Sequence, residues 1–89
     1  MINLKKISDL VKEINTTAEI EEFFKELLTE SELETLSKRW RILEMLKEGY
    51  TQREIAKELK VSLCKVTRGA KIMKDKNSVL AKHLIKEIK

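Results

Sequence analysis

The chain reads as an all-α protein on three observations. Its 89 residues include no proline and only two glycines, so little interrupts a helix. Apolar residues recur at spacings of three and four over most of the length, which is the helical period. A threonine followed three residues later by glutamate, the pattern of a helix-capping box, occurs at Thr16, Thr29 and Thr51.

Leu4, Ile7, Leu10, Val11 and Ile14 share one face of a first helix over residues 4–14, which Asn15, Thr16 and Thr17 end. Thr16 or Thr17 caps a second helix, whose apolar face is Ile20, Phe23, Phe24, Leu27 and Leu28; both phenylalanines are expected in the core. Thr29 and Glu32 open the longest helix, which should run to Glu48 and stop at Gly49. Its apolar residues, Leu33, Leu36, Trp40, Ile42, Leu43, Met45 and Leu46, make a stripe too wide for a single neighbour. Arg39 and Arg41 bracket Trp40, and either reach solvent or mark a place where an anion is held.

After Thr51 the helices shorten. Thr51 and Glu54 box a helix of about two turns lined by Ile55, Ala56 and Leu59, and Lys60-Val61 breaks it. Ser62 caps the next, residues 63–74, with Leu63, Val66, Ala70 and Met73 turned inward. Asp75, Lys76 and Asn77 form a turn, and Asn77 or Ser78 caps a last helix carrying Val79, Leu80, Leu84, Ile85 and Ile88. No internal repeat or linker divides the chain, so residues 1–89 are expected to be a single domain.

A chain this short buries a limited share of its surface and commonly needs a disulfide, a metal or a partner subunit. Cys64 is the lone cysteine and His83 the lone histidine, which excludes a disulfide and a zinc site of familiar spacing. Oligomerisation remains. The N-terminal residues lack the apolar run of a signal peptide, and no stretch is apolar enough to span a bilayer, so a cytoplasmic location is expected, with no membrane contact. Nothing resembles a nucleophile-base pair or a glycine-rich phosphate loop, so no enzymatic activity is expected.

Charge is unevenly divided. Residues 1–50 hold 8 Lys/Arg against 11 Asp/Glu, a net of −3, and residues 51–89 hold 11 against 4, a net of +7. A basic half of this size suits a polyanion, since each cation near a phosphate releases counterions; a solvated lysine-rich surface is the bland alternative.

Residues 51–74 meet the demands of a helix-turn-helix. Ile55, Leu59, Val61 and Val66 fill the buried positions, and the small Ala56 stands where the helices cross. Lys60 occupies the tight turn, where glycine is usual. In such a motif the second helix enters the major groove of double-stranded DNA and the first crosses the backbone. Lys65 is then a donor to guanine and Thr67 a contact to base or phosphate, with Gln52 and Arg53 beside phosphates and Lys74 on the far strand. Cys64 is read as a small groove-facing contact and His83 as an exposed helix residue. A helical module that dimerises and binds a protein is the competing expectation, motivated by the acidic N-terminal half.

Thr29 and Glu32, then Leu36, Arg39, Arg41 and Ile42, then Gly49, Thr51-Gln52-Arg53-Glu54 and above all Val66-Thr67-Arg68-Gly69 resemble the Trp repressor family over residues 27–84. The resemblance implies six helices per subunit in an intertwined homodimer. Residues 1–49 and 77–89 would form the dimerisation core and residues 51–74 the helix-turn-helix. It also implies a DNA-binding repressor that requires no cofactor but responds to a small-molecule corepressor, L-tryptophan or another small carboxylate. Arg39 and Arg68 match the arginines that sandwich the indole and pair with the ligand carboxylate, and Gly69 the glycine that admits the ligand to the backbone. Leu28 and Thr29 match the partner-subunit segment that meets the ligand amino group, and Ile72 stands where the family has a small hydroxyl residue. Gln52, Arg53, Leu63, Cys64, Lys65, Thr67 and Lys74 match its DNA contacts, whereas Ala56 and Lys65 replace a lysine and a threonine, so a different operator preference is expected.

Overall fold

In the computed structural model, which describes residues 3–86 and side chains as far as Leu84, six helices follow one another and no strand occurs among the described residues. They are α1 (Lys5–Glu13), α2 (Thr17–Leu27), α3 (Glu30–Glu48), α4 (Gln52–Leu59), α5 (Leu63–Lys74) and α6 (Val79–Lys86). The all-α expectation holds. No described helix is long and apolar enough to cross a membrane. The chain divides within α3 into two compact units, Met1–Glu34 and Thr35–Lys89.

The first unit has little core of its own. α1 and α2 contain no buried residue; Leu4, Ile7 and Leu10 are exposed, and Val11 and Ile14 are half-buried. The phenylalanines are half-buried as well, so their expected core role is only partly met within one chain, and their rings meet edge to face at 5.7 Å. Thr16, not Thr17, caps α2 by accepting the Glu19 amide at 3.2 Å. Glu19 turns its carboxylate to the Thr16 hydroxyl, 3.4 Å away, and that box is only half made. At α3 the box is complete: the Thr29 amide donates to Glu32 Oε1 at 2.9 Å, and the Glu32 amide to Thr29 Oγ1 at 3.1 Å.

The second unit holds the core. Ile42 and Met45 of α3, Ile55 of α4 and Val66 of α5 form a buried cluster ringed by Leu46, Ala56, Leu59 and Val61. Gly49 stops α3 as expected. At φ 98° it lets its own amide donate to Leu46 O and the Tyr50 amide to Met45 O, which satisfies two carbonyls at the helix end. α6 packs on α5 through its buried Ala81 and Leu84. Ser78, not Asn77, caps it, accepting the Ala81 amide at 3.0 Å. Val79, one of the apolar residues expected on this helix, stands at its first position and is exposed. The expected apolar contributions of Ile85 and Ile88 lie outside the described side chains.

Candidate nucleic-acid interface

The site begins with how α4 is started. Thr51 Oγ1 accepts the Glu54 amide at 3.2 Å, and the Thr51 amide donates to Glu54 Oε1 at 2.8 Å, completing the capping box. The Thr51 amide, and after it the Thr51 hydroxyl, hold the Glu54 carboxyl below the ordinary glutamate range, because a carboxylate accepts these bonds best when ionised. Gln52 and Arg53 are thereby set in the first turn, Gln52 half-buried and Arg53 exposed.

α4 ends at Lys60, whose φ of 55° and ψ of 47° put it in the left-handed region, the only non-glycine residue there among those described. The amides of Lys60 and Val61 both donate to Ala56 O, closing the helix tightly before the chain leaves for α5. Ser62 then caps α5 by accepting the Lys65 amide at 3.4 Å. With Ile55 and Val66 fully buried between α4 and α5, the predicted helix-turn-helix is formed.

Along α5 the inner face is Val66, Gly69 and Ala70, with Met73 half-buried. Leu63 corrects the expectation that it turns inward. It is 46% exposed, because it stands in the first turn of α5, one turn before Val66 joins the core. Leu63 instead joins Cys64, Thr67, Arg68, Lys71 and Ile72 along a surface hollow of about 550 Å³. Lys65 and Lys74 are exposed on the same helix, as are Cys64, a free thiol, Thr67, Arg68 and Lys71. Lys71, three residues from Arg68 and four from Thr67, shares their face.

One hydrogen bond ties the two helices of the motif at this surface. Thr67 Oγ1 donates toward Gln52 Oε1 at 2.9 Å and lies 3.0 Å from Leu63 O. Around it the described residues include no buried polar or charged side chain, and none of their acidic, cysteine or histidine side chains form a group that could hold a metal ion. What the surface offers is ammonium, guanidinium and amide donors, which bind anions.

The residues matched to a ligand pocket divide between the two units. Leu28 and Thr29 belong to the first, and Arg39, Arg68, Gly69 and Ile72 to the second. Arg39 and Arg68 are exposed, and Ile72 is half-buried. Gly69 is buried where α5 meets α3; a β-carbon there would lie 2.9 Å from Ile42 Cγ2 and 3.4 Å from Leu43 Cδ2 and Leu46 Cδ1. Arg39 precedes Ile42 and Leu43 by three and four residues, one turn before this crossing. Arg41 is held along α3, 3.4 Å from Glu44 and 3.6 Å from Glu48. His83 is exposed.

The fold and the site define an all-helical helix-turn-helix domain with an exposed, cationic second helix. The family model described as Trp repressor protein matches residues 2–88, and the chain belongs to the Trp repressor family. Among its relatives, a Trp operon repressor homolog of Xylella fastidiosa (strain M23) is 48% identical over 52 residues, 57% of this chain and 56% of that protein. A Trp operon repressor homolog of Chlamydia caviae is 37% identical over 67 residues, 74% of this chain and 66% of that protein. The chain thus spans between about half and two thirds of the length of these relatives. No solved structure matches it.

Proposed function

We propose that the chain is a sequence-specific DNA-binding transcriptional repressor. The observation that carries this reading is the helix-turn-helix itself: α5 presents Lys65, Thr67, Arg68, Lys71 and Lys74 outward, and Gln52 and Arg53 stand at the start of α4. The second helix enters the major groove and the first lies on the backbone, a docking geometry for which the Trp repressor is itself a standard example. Leu63, Cys64 and Lys65, in the first turn of α5, are nearest the bases. Such a protein works by binding, not by catalysis, and acts where the cell keeps its DNA, which in a bacterium is the cytoplasm.

The working form is a homodimer. Leu4 just before α1, Leu10 on α1, Leu27 on α2, and Leu36 and Trp40 on α3 leave apolar surface open, and a second copy of the chain would cover it. Two recognition helices then meet successive major grooves about one helical turn apart. The names of the relatives, together with Arg39, Arg68 and Gly69, favour a corepressor that is a small carboxylate, L-tryptophan first among them. Leu28 and Thr29 of the partner copy would close its site, and Ile72 would narrow it. A corepressor acts only by binding the DNA-competent arrangement more tightly than the other.

Selection of duplexes from a random pool, with and without L-tryptophan, tests the reading. Recovery of a two-fold symmetric site supports it, and enrichment only with tryptophan supports the corepressor. Failure to retain any duplex at low salt rejects DNA binding and favours a protein-interaction module. Sedimentation equilibrium tests the dimer, which a monomer at micromolar concentration would exclude.

A further inference from the structure

We propose that Thr67 acts on DNA binding through Gln52, as a positioning residue that sets which end of the Gln52 amide faces the phosphates. The inference rests on the DNA-binding reading. Thr67 lies on the exposed face of α5, where a motif match alone takes it for a contact. Its hydroxyl has one proton, and the two groups within reach, Gln52 Oε1 at 2.9 Å and Leu63 O at 3.0 Å, are both acceptors. The proton goes to the nearer acceptor, Gln52 Oε1, and is then not available to a phosphate oxygen, which can only accept.

Gln52 is the group placed to use the bond. It is half-buried in the first turn of α4, next to exposed Arg53 and behind the capping box that fixes where the helix begins. With Oε1 turned to Thr67, the Nε2 group has no hydrogen bond among the described residues and keeps both protons for an outside acceptor. The last torsion of a glutamine is soft and roughly two-fold. Without the Thr67 hydroxyl the amide can turn over and offer a phosphate an oxygen, which repels it. Thr67 therefore acts through the polarity of Gln52 and makes the start of α4 a donor.

The test is a double-mutant cycle on a duplex recovered by random-pool selection, read by fluorescence anisotropy at one salt concentration. Thr67→Val keeps the branched shape and similar helix propensity while removing the hydroxyl. It should weaken binding about fivefold per subunit, the order expected for one neutral hydrogen bond. Gln52→Ala should weaken it at least as much, and the double variant no more than Gln52→Ala alone. Thr67→Ser, which restores the hydroxyl, should bind like the parent. In the free protein, the side-chain amide resonances of Gln52 should shift in Thr67→Val and return in Thr67→Ser. Losses that multiply in the double variant, to about twenty-five-fold per subunit, would mean that Thr67 touches DNA directly and would overturn the inference alone. So would parental binding by Thr67→Val. A parent chain that binds no duplex overturns the DNA-binding reading and this inference with it.

Discussion

Gly69 on α5 meets Ile42 on α3 so closely that a β-carbon at position 69 would stand 2.9 Å from the Ile42 Cγ2 methyl. That methyl sits on a branched carbon of a side chain only 2% exposed, so it cannot swing aside as the tip of a flexible chain would. The glycine costs α5 some helix propensity, and the close approach of two helices is what it makes possible. Arg68, its neighbour in sequence, remains exposed, so the packing contact and the outward-facing surface occupy adjacent positions of one helix.

Gly69→Ala should therefore destabilise the protein. Overpacking a tight core costs about 1–3 kcal/mol, against about 1 kcal/mol gained in helix propensity, which leaves a net loss of about 1 kcal/mol. Urea unfolding measures it. Paired with Ile42→Ala, which removes the obstructing methyl, the substitution should become neutral or stabilising. A stabilised single variant would show that the crossing is looser than the 2.9 Å approach requires.

The helix-turn-helix was legible because its signals are local: Thr51 with Glu54, Ser62, and the spacing of Val66 and Ala70 are properties of short segments. Leu63 was misread for the complementary reason. Periodicity assigns a residue to a stripe but does not reveal whether a neighbouring element reaches far enough to cover it, and Leu63 stands a turn outside the core. Glu19 has the right spacing for a box, yet its carboxylate chose the Thr16 hydroxyl over the amide, a rotamer preference that spacing cannot encode. The Thr67–Gln52 bond spans 15 residues and depends on the crossing of α4 and α5, so no local pattern announces it.

Lys60 gives a second stability prediction. At φ 55° its side chain meets the steric cost that glycine escapes, on the order of 1–2 kcal/mol. Lys60→Gly removes that cost but loosens the unfolded chain, so the expected net gain is about 1 kcal/mol. For a domain of this size that raises the melting midpoint by roughly 4–8 °C in a thermal scan. An unchanged or lowered midpoint would mean that the lysine side chain contributes as much as its backbone costs.

The capping box on α4 makes one contribution to stability that depends on pH. Glu54 has its folded pKa depressed, chiefly by the Thr51 amide and then by the Thr51 hydroxyl, from the ordinary glutamate value of 4.5. The sign follows: the contribution is fully present above pH 4.5 and is lost as pH falls through the depressed folded value. Glu54→Gln keeps an acceptor that does not titrate. The parent should exceed it in thermal midpoint at neutral pH, and the gap should close on acidification below the ordinary value. A gap independent of pH would show that the carboxylate charge contributes nothing at the cap.

Arg53 and Lys74 carry the prediction about phosphate contacts. Both are exposed, one in the first turn of α4 and the other in the last turn of α5, where they would reach the backbone on either side of the groove. If each neutralises one phosphate, Arg53→Ala and Lys74→Ala should each lower the slope of log affinity against log salt by about 0.9 per subunit. The loss should be similar on a selected site and on random duplex, because phosphates carry no sequence. Lys12→Ala, on α1, serves as the control and should leave the slope unchanged. Lys65→Ala should differ in kind. In the first turn of α5 it is placed to reach base edges, so its loss should narrow the gap between selected and random duplex as well as lowering affinity. Equal weakening on both duplexes by Lys65→Ala would put that lysine on the backbone and leave base reading to its neighbours.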